Sequence, residues 1–282
     1  MKELNYSPLV KETIQLAIRE DIGHGDITSS LIVPESGRAK ARVLAKEDLV
    51  LAGMPFVLEV FRTLDPDVVG KVFFKEGAGI RKGGIIAEFS GRTRSILAGE
   101  RIALNILQRI SGIATVTRTY VGKVSGLPVR IADTRKTVPG MRFMEKYGVR
   151  IGGGSNHRFG LSDGILIKDN HIEAAGSVKK AIGLAKKAHH LLKIEIEVKN
   201  FSELKDALAA GADIIMLDNM SLRDMEKAVK TAKGKAVLEA SGNVNPDTVR
   251  PIAETGVDII SIGALTHSAR AMDISMKIFR ST

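Results

Sequence analysis

The sequence contains no cysteine among its 282 residues. This absence excludes disulfide bonds, thiolate nucleophiles and cysteine metal sites. Tryptophan is also absent, and aromatic residues make up only 4% of the chain. Proteins that bind nucleic acid usually present aromatic side chains for base stacking, or a concentrated basic run. Because aromatics are few and the lysines are spread along the chain, we expect no nucleic-acid partner.

Long apolar segments are missing as well. No apolar run approaches the ~18 residues that a membrane-spanning helix requires. Residues 1–13 lack the apolar core of a secretory signal. We therefore expect a cytoplasmic protein with no membrane partner. The motifs GxSxG and HExxH, a P-loop and a calcium-binding loop are also absent, which argues against the enzyme and binding classes that depend on them.

Positive charge is in excess. The chain has 42 basic and 32 acidic residues and a formal net charge of +10. Such an excess favours an anionic partner, although many individual lysines belong to a solvated surface. Small phosphates and carboxylates are therefore the expected ligands.

The C-terminal half alternates short apolar segments with helical patterns. Six apolar segments predict strands, at residues 129–133, 164–168, 193–198, 213–217, 236–240 and 258–262. The intervening patterns predict helices at 177–192, 202–211, 221–234 and 245–256. Several of these helical segments begin at Ser or Asn and end at Gly, which are typical start and stop signals. Repeated strand–helix units predict parallel strands joined by crossover helices.

Polar side chains follow each predicted strand, as they do at the catalytic rim of a parallel barrel. An open doubly wound sheet would show the same alternation. No GxGxxG motif follows the first strand, however, and only six strands are evident. The sequence therefore favours a barrel, which is either incomplete or contains further strands that the pattern does not reveal.

The N-terminal third has a different pattern. It predicts a short helix near 8–20 and a turn-rich segment at 20–29. Predicted strands follow at 41–53, 71–77, 84–91 and 93–99. A strongly apolar helix over 100–124 then leads to the barrel. We expect a separate α+β domain, connected to the barrel by this helix.

Cationic side chains concentrate in residues 133–172, around two predicted strand ends. They are Arg135, Lys136, Arg142, Arg150, His157, Arg158 and Lys168. Guanidinium groups bind carboxylates with paired hydrogen bonds, and lysine supplies a point charge for phosphate. The glycines at 152–154 permit unusual backbone angles and close ligand approach. A solvated basic loop is the alternative, but the position at strand ends favours a polyanion site.

Two carboxylates, Glu197 and Asp218, end consecutive predicted strands and therefore face the same rim. Paired oxygens of this kind suit Mg²⁺ shared with phosphate. Alternatively, each carboxylate neutralises a neighbouring lysine. Beyond them, Ser241, Gly242 and Gly263 end the last two strands, where barrels often form a phosphate cradle from backbone N–H groups. Small residues also make tight turns, so this alternative stays open.

Seven segments together resemble the quinolinate phosphoribosyltransferase family, also called nicotinate-nucleotide pyrophosphorylase (carboxylating). They are EDIGHGDITS (20–29), AGERIALNILQRISGIAT (98–115), DTRKTVPGMRFMEKYGVRIGGGSNHR (133–158), ILIKDNHI (165–172), IEVKN (196–200), MLDN (216–219) and EASGNV (239–244). The resemblance runs nearly end to end, and DTRKT, GGxxNHR and KDNH are highly specific in combination.

The resemblance implies an α/β protein: an incomplete parallel α/β barrel with an N-terminal α+β open sandwich domain. The expected domains are 1–112 and 113–282, with a last helix that packs back on the N-terminal domain. It also implies a homodimer with shared active sites, in which Arg101 reaches the site of the neighbouring subunit.

The resemblance assigns roles to individual residues as well. Quinolinate would be held by Arg135, His157, Arg158 and Lys168, with Lys136 nearby. Ribose and Mg²⁺ would be bound by Glu197 and Asp218. The 5′-phosphate would be held by Ser241, Gly242, Asn243, Gly263 and His267. The catalytic residues would be Lys136, Lys168, Glu197 and Asp218.

The implied reaction transfers phosphoribosyl from phosphoribosyl pyrophosphate (PRPP) to quinolinate with decarboxylation. The products are nicotinate mononucleotide, pyrophosphate and carbon dioxide, in de novo NAD biosynthesis. Mg²⁺ and lysine would stabilise the charge that develops on pyrophosphate, and a carboxylate would stabilise the oxocarbenium-like sugar. Because the pyridinium ring accepts the electrons left by carbon dioxide, we expect no organic cofactor.

Two other functions remain open at this point. One is a related protein of molybdenum-transport operons, whose activity is uncertain. The other is a non-catalytic protein that binds small anions or nucleic acid with the same basic rim. A pure anion binder would gain nothing from Glu197 and Asp218, so these carboxylates favour catalysis.

Overall fold

The computed structural model describes residues 8–280. Residues 1–7 and 281–282 lie outside the described residues. The first predicted domain begins in one of these segments and the second ends in the other. Residues 1–7 are also the start of the segment inspected for a secretory signal. The helices are α1 (Pro8–Ile22), α2 (Ile27–Ile32), α3 (Met54–Leu64), α4 (Thr93–Lys123), α5 (Arg142–Ile151), α6 (Asp169–Ala175), α7 (Val178–Ala185), α8 (Phe201–Ala210), α9 (Leu222–Ala232), α10 (Val249–Glu254) and α11 (Ala264–His267). The strands are β1 (Arg38–Ala45), β2 (Leu49–Val50), β3 (Val69–Val72), β4 (Gly79–Ile80), β5 (Ile85–Arg92), β6 (Arg130–Ala132), β7 (Ile165–Ile167), β8 (Ile194–Val198), β9 (Ile214–Asp218), β10 (Val237–Ser241), β11 (Ile259–Ser261) and β12 (Ile274–Arg280).

The chain forms two compact units that interleave in sequence. The first unit contains the residues up to Arg118, Thr137–Gly153 and the residues from Thr266 onward. The second contains Thr119–Lys136 and Gly154–Leu265. The boundary predicted at 112/113 lies inside α4, six residues before the first unit gives way to the second at 118/119.

The first unit is an antiparallel sheet with helices packed on one face. Its strand order is β12-β1-β5-β3. Alternate residues of β1 are buried, while those between them are exposed or half-buried, so the strand buries one of its two faces. The core joins Phe89 of β5 to Ile14, Phe56 and Ile96 from α1, α3 and α4. Each such fully buried side chain contributes about 1.5–3 kcal/mol. The predicted open sandwich is confirmed.

The second unit is a six-stranded parallel sheet in the order β6-β11-β10-β9-β8-β7. Strands β7 to β11 lie side by side in chain order. The last of them, β11, pairs with β6, the first strand of this sheet in the chain. A doubly wound sheet would instead reverse its order at a switch point. Within residues 8–280, β6 and β7 are the edges and do not pair with each other. The incomplete barrel predicted from the sequence is confirmed.

The capping signals in this unit act as the sequence predicts. The side chains of Ser177, Asn200 and Ser221 accept hydrogen bonds from the first turns of α7, α8 and α9. Gly211 ends α8 in the left-handed region, where a side chain would be strained. The caps at Asn200 and Ser221 place the ends of β8 and β9 directly before a helix N-terminus, whereas α6 lies between β7 and the cap at Ser177.

Two predicted elements are wrong. Residues 93–99 form the beginning of α4 and not a strand, because buried positions recur every three or four residues from Ile96 through Gly99, Ala103 and Leu107. The C-terminal segment is strand β12 and not a helix. It pairs antiparallel with β1, and its alternate residues Ile274 and Met276 are buried.

Among the described residues, no helix has both the length and the apolar character that crossing a membrane requires.

Candidate active site

The register of the parallel sheet brings four predicted site residues to one face at its carboxyl edge. Glu197 pairs with Met216, so Asp218, two residues further along β9, shares its face. Ser241 pairs with Asp218. Lys168 follows β7 and contacts Glu197, with 2.7 Å between Nζ and Oε2. The structure thus brings together residues that lie far apart in the chain.

Charges of opposite sign alternate along this rim. Beside the Lys168–Glu197 pair, the Lys199 ammonium lies 3.0 Å from the Asp169 carboxylate. The hydrogen bond from Lys199 lowers the pKa of Asp169. The same bond raises the pKa of Lys199, and the nearby charges of Glu197 and Asp218 raise it further. Glu197 thus pairs with a neighbouring lysine, as one of the two alternatives expected from the sequence requires.

Arg135 and Arg158 form the cationic part of the site. Burial lowers the pKa of Arg158, and the nearby positive charge of Arg135 lowers it further. Nη1 of Arg158 donates to the Gly164 carbonyl at 2.9 Å, while its Nε is buried and has no hydrogen-bond partner among the described residues. A buried donor without an acceptor is costly unless a ligand supplies one. Two like charges close together with an unused donor suit an anion.

His157 is held on both sides of its ring. Its Nδ1 accepts the backbone N–H of Arg158 at 2.8 Å, which assigns the proton to Nε2. That nitrogen lies 3.1 Å from Glu195 Oε2 and 3.7 Å from Glu239 Oε1. His157 therefore organises the turn that carries Arg158, and any contact of its own with a substrate stays a prediction.

The segment before His157 is fixed by a fully buried carboxylate. Asp133, which follows β6, accepts hydrogen bonds from the backbone N–H of His157 at 2.8 Å and from Asn156 Nδ2 at 2.6 Å. The turn that presents His157 and Arg158 is thus tied to the end of a barrel strand, which gives it little freedom to move.

Beneath His157 lies a buried pair of carboxylates, Glu195 and Glu239. Burial raises the pKa of Glu239 to about 7, and the neighbouring charge of Glu195 contributes in the same direction. One oxygen from each carboxylate and a nitrogen of His157 lie within 4.8 Å of one another, a spacing that would also accommodate a metal ion. Two arginines already supply positive charge near this pair. The charge of Arg130 lowers the pKa of Glu239, and the charge of Glu195 raises the pKa of Arg158. The raised pKa of Glu239 means that this carboxyl can hold a proton near neutral pH, which would relieve the repulsion within the pair.

The predicted phosphate residues follow the last two barrel strands. Ser241 ends β10, with Gly242 and Asn243 after it, and Gly263 lies two residues beyond β11. Gly242 has a φ of +101° and Asn243 a φ of +50°. The structure places the four residues at the same carboxyl edge as Asp218, and their contact with phosphate stays a prediction.

The remaining predicted residues are distributed over both units. Lys136 is exposed, and its backbone N–H donates to Thr134 Oγ1 in the second unit. Arg101 is exposed on α4, and His267 ends α11 with Nδ1 2.6 Å from Ser268 Oγ. Arg101 and His267 belong to the first unit. Their proposed roles stay predictions.

Part of the cationic segment has a structural role in the first unit. Arg142 donates to Thr137 Oγ1, and Arg150 lies over the ring of Tyr147. A Cβ on Gly152 would lie 2.7 Å from the carbonyl oxygen of Ala114. The absence of a side chain at Gly152 therefore permits close packing of α5 on α4, and ligand approach at the glycines of 152–154 stays a prediction.

Family models cover nearly the whole chain. The model of the C-terminal domain of quinolinate phosphoribosyl transferase matches residues 113–277, and that of the N-terminal domain matches residues 26–111. The chain belongs to the quinolinate phosphoribosyltransferase family.

Relatives within this family are similar along their whole length. The probable nicotinate-nucleotide pyrophosphorylase [carboxylating] of Bacillus subtilis (strain 168) is 43% identical over 270 residues, which cover 95% of this chain and 93% of the relative. Quinolinate phosphoribosyltransferase [decarboxylating] 1b of Nicotiana tabacum is 40% identical, over 95% of this chain and 82% of the relative. The solved nicotinate-nucleotide pyrophosphorylase of Francisella tularensis superposes with a TM-score of 0.92 at 42% identity, and 96% of each chain is covered.

Several residues of this quinolinate phosphoribosyltransferase family site were not predicted from the sequence. They are Asp133, Glu195, Lys199, Asn219 and Glu239. The two-residue period of a strand could have identified two of them, because Glu195 lies two residues before Glu197, and Glu239 two before Ser241. The others depend on contacts between separate strand ends, which no local pattern reveals.

Proposed function

We propose that this protein transfers the phosphoribosyl group of PRPP to quinolinate, with loss of pyrophosphate and carbon dioxide, to form nicotinate mononucleotide in de novo NAD biosynthesis. The observations that carry the proposal are the half-buried Arg158, whose buried Nε is unused and which lies close to Arg135, and the two carboxylates Glu197 and Asp218 on one face of the barrel sheet. The relatives' names, carboxylating or decarboxylating, support catalysis over a molybdenum-operon relative or a passive anion binder.

Quinolinate has two carboxylates and needs more than one cation. In the proposed complex, Arg135 and Arg158 hold them together with Lys168, whose Nζ also contacts Glu197. Fixing the pyridine nitrogen toward the sugar lowers the entropic part of the barrier. His157 and Asp133 hold the turn that carries Arg158, so they contribute through its position.

The second half of the proposed site binds PRPP. Glu197 and Asp218 lie on one face at adjacent strand ends and offer carboxylate oxygens, the ligands that Mg²⁺ prefers, so the residues present fit this ion. Bound there with PRPP, Mg²⁺ would offset negative charge on the departing pyrophosphate. Glu197 and Asp218 also stabilise positive charge on the sugar ring, and Lys136 and Lys168 stabilise the leaving group. Ser241, Gly242, Asn243, Gly263 and His267 bind the 5′-phosphate.

Decarboxylation follows from the substrate itself. When the pyridine nitrogen bonds to C1′, the ring becomes a pyridinium. The electron pair of the bond to the 2-carboxylate can then stay on C2, where the adjacent positive nitrogen stabilises it as an ylide. Carbon dioxide departs, and a proton from solvent adds to C2. The reaction needs no organic cofactor.

We further propose a homodimer in which Arg101 completes the quinolinate site of the neighbouring subunit, as the family resemblance implies. A cytoplasmic location stays a prediction, since the Arabidopsis relative is named as chloroplastic.

The test of the function is a substrate comparison. Purified protein with PRPP and Mg²⁺ should consume quinolinate and release pyrophosphate and carbon dioxide in equal amounts, and should leave nicotinate unchanged. Lys168→Ala should abolish turnover, while Lys230→Ala, an exposed lysine on α9, should keep it. Equal or faster turnover of nicotinate would overturn the assignment.

A further inference from the structure

Two asparagines with unusual backbone conformation follow neighbouring barrel strands. Asn219 comes directly after β9 with a φ of +53°, and Asn243 comes two residues after the end of β10 with a φ of +50°. Within residues 8–280 they are the two non-glycine residues with positive φ. Residues other than glycine adopt this region rarely, and asparagine tolerates it better than most. Such conformations persist where the surrounding contacts hold them, often at functional sites.

The side chain of Asn219 is held at both ends. Its Nδ2 donates to Asp218 Oδ1 at 2.9 Å, and its Oδ1 accepts from Asn243 Nδ2 at 2.9 Å. Its backbone N–H donates to the Ser241 carbonyl at 2.9 Å. The reversed amide would turn an oxygen toward Asp218 and an NH₂ toward Asn243. Only the observed orientation gives both neighbours a suitable partner.

Gly242 leaves the space that this side chain fills. A Cβ built on Gly242 would overlap the carboxamide of Asn219. The glycine has a φ of +101°, a value that any other residue would adopt only with strain. The Ser241–Gly242–Asn243 segment therefore has a second constraint besides its predicted contact with phosphate: it must accommodate and orient Asn219.

We infer that Asn219 is a positioning residue for Asp218, and that Asn243 acts through it by fixing the orientation of its amide. The inference rests on the proposed function, because it takes Asp218 to bind PRPP. With Oδ1 of Asp218 held by Asn219, Oδ2 is left for the ribose hydroxyls or Mg²⁺. Asn219 itself touches neither substrate nor reacting atoms, and its effect passes through the rotamer of one carboxylate.

The informative variant is Asn219→Gly, which keeps the left-handed backbone accessible and removes only the carboxamide. Isothermal titration should show that PRPP with Mg²⁺ binds about ten- to a hundred-fold more weakly, the range for losing a hydrogen bond to a charged group. Quinolinate affinity should stay within about twofold, since Arg135 and Arg158 are untouched. Asn243→Gly should show a smaller loss in the same direction.

A double-mutant cycle separates positioning from general damage to the fold. If Asn219 acts through Asp218, Asn219→Gly should have no further effect on PRPP binding in an Asp218→Ala background. Likewise, the loss caused by Asn243→Gly should be smaller in an Asn219→Gly background than alone, because only the proposed direct contact of Asn243 with the 5′-phosphate then remains to be lost. Additive losses in either cycle would overturn the inference, and so would a parallel loss of quinolinate affinity.

The same titrations distinguish this inference from the proposed function. If Asp218→Ala binds PRPP and Mg²⁺ as the unaltered protein does, the assignment of Asp218 is wrong and the inference fails with it. If Asp218→Ala loses PRPP binding but Asn219→Gly keeps it, the proposed function stands and the positioning role alone is wrong.

Discussion

The half-buried Arg158 has one donor, Nη1, engaged with a carbonyl and another, its buried Nε, without a partner among the described residues. Lysine in its place would keep the charge but lose the planar fork and the Nε donor. Arg158→Lys should therefore weaken quinolinate binding by at least about tenfold, as expected when a charge-assisted hydrogen bond is lost. Titration of the apoprotein with quinolinate measures this directly.

The matched control is Arg223→Lys, which changes an exposed arginine of α9 in the same unit. Its quinolinate affinity should equal that of the unaltered protein. Near-normal affinity in Arg158→Lys would show that the ligand uses the charge of Arg158 and not the geometry of its donors.

The carboxylate of Glu239 predicts a pH dependence of stability. Its pKa of about 7 in the folded protein lies above the ordinary value of 4.5. Between these values the unfolded chain releases a proton that the folded protein keeps, so the contribution of this group to stability falls as pH rises from 4.5 to 7. Glu239→Gln removes the titration. Its free energy of unfolding, taken relative to unaltered protein, should rise across this window and level off above pH 7.

Urea unfolding at pH 5, 6, 7 and 8 measures the effect. Glu226→Gln, an exposed substitution on α9, should give a difference that does not change with pH over this range. If the Glu239→Gln difference is equally flat, the buried pair does not hold a proton.

A site residue could be predicted from the sequence when its role depends on residues close to it in the chain, and not when it depends on a distant partner. Glu197 and Asp218 were predicted because each ends a recognisable strand, and the structure places both on the same face. Asn219 was missed because its importance depends on a neighbour that lies 24 residues away along the chain, Asn243. Glu195 has a period-two signal, but its burial against Glu239 depends on strand register.

At the scale of elements, the packing of α5 against α4 depends on Gly152. A Cβ there would meet the Ala114 carbonyl at 2.7 Å and the Thr117 Cβ at 2.6 Å, and backbone cannot move aside cheaply. Gly152→Ala should therefore lower the free energy of unfolding by about 1–3 kcal/mol, as overpacking does. Urea titration of the variant tests this prediction.

The matched control, Gly183→Ala, should change the free energy of unfolding in the opposite direction. Gly183 lies in the middle of α7, and a Cβ there would meet nothing within 4 Å. Gly183→Ala should stabilise the protein by about 0.5–1 kcal/mol through the helix propensity of alanine. A Gly152→Ala variant that is also stabilised would show that α4 and α5 can separate without cost.

The elements themselves were largely predictable. All six barrel strands were predicted because short apolar runs between capped helices give a strong repeated signal. Residues 93–99 were wrongly predicted as a strand. A short apolar run cannot distinguish the two-residue period of a strand from the 3.6-residue period of a helix unless the helical residues that follow it are included. β12 was wrongly read as a helix because its partner, β1, lies more than two hundred residues earlier.

At the scale of the whole molecule, the proposed dimer predicts complementation between two inactive variants. Arg101→Ala and Lys168→Ala should each be nearly inactive alone. If Arg101 serves the neighbouring subunit, a hybrid has one site with both defects and one intact site. Random exchange of equal amounts gives half hybrids, so activity should recover to about a quarter of the unaltered level.

The control mixes Arg135→Ala with Lys168→Ala, which alter the same unit of the same chain and should not complement. Mass spectrometry confirms that subunits have exchanged. Exchange without recovery in the Arg101 mixture would show that the site is not shared.

The two larger sheets each pair an early strand with a late one: β1 with β12 in the first unit, and β6 with β11 in the second. During synthesis, β1 emerges from the ribosome long before its partner strand, β12, has been made. The edge of β1 that β12 will occupy therefore stays open during nearly the whole of synthesis, which is the condition under which strands pair with the wrong chain. Chains whose synthesis is halted before residue 274 should therefore depend on chaperones more than the full-length chain does. Because the paired strands are far apart in the sequence, refolding should also be slower than that of helical proteins of this size.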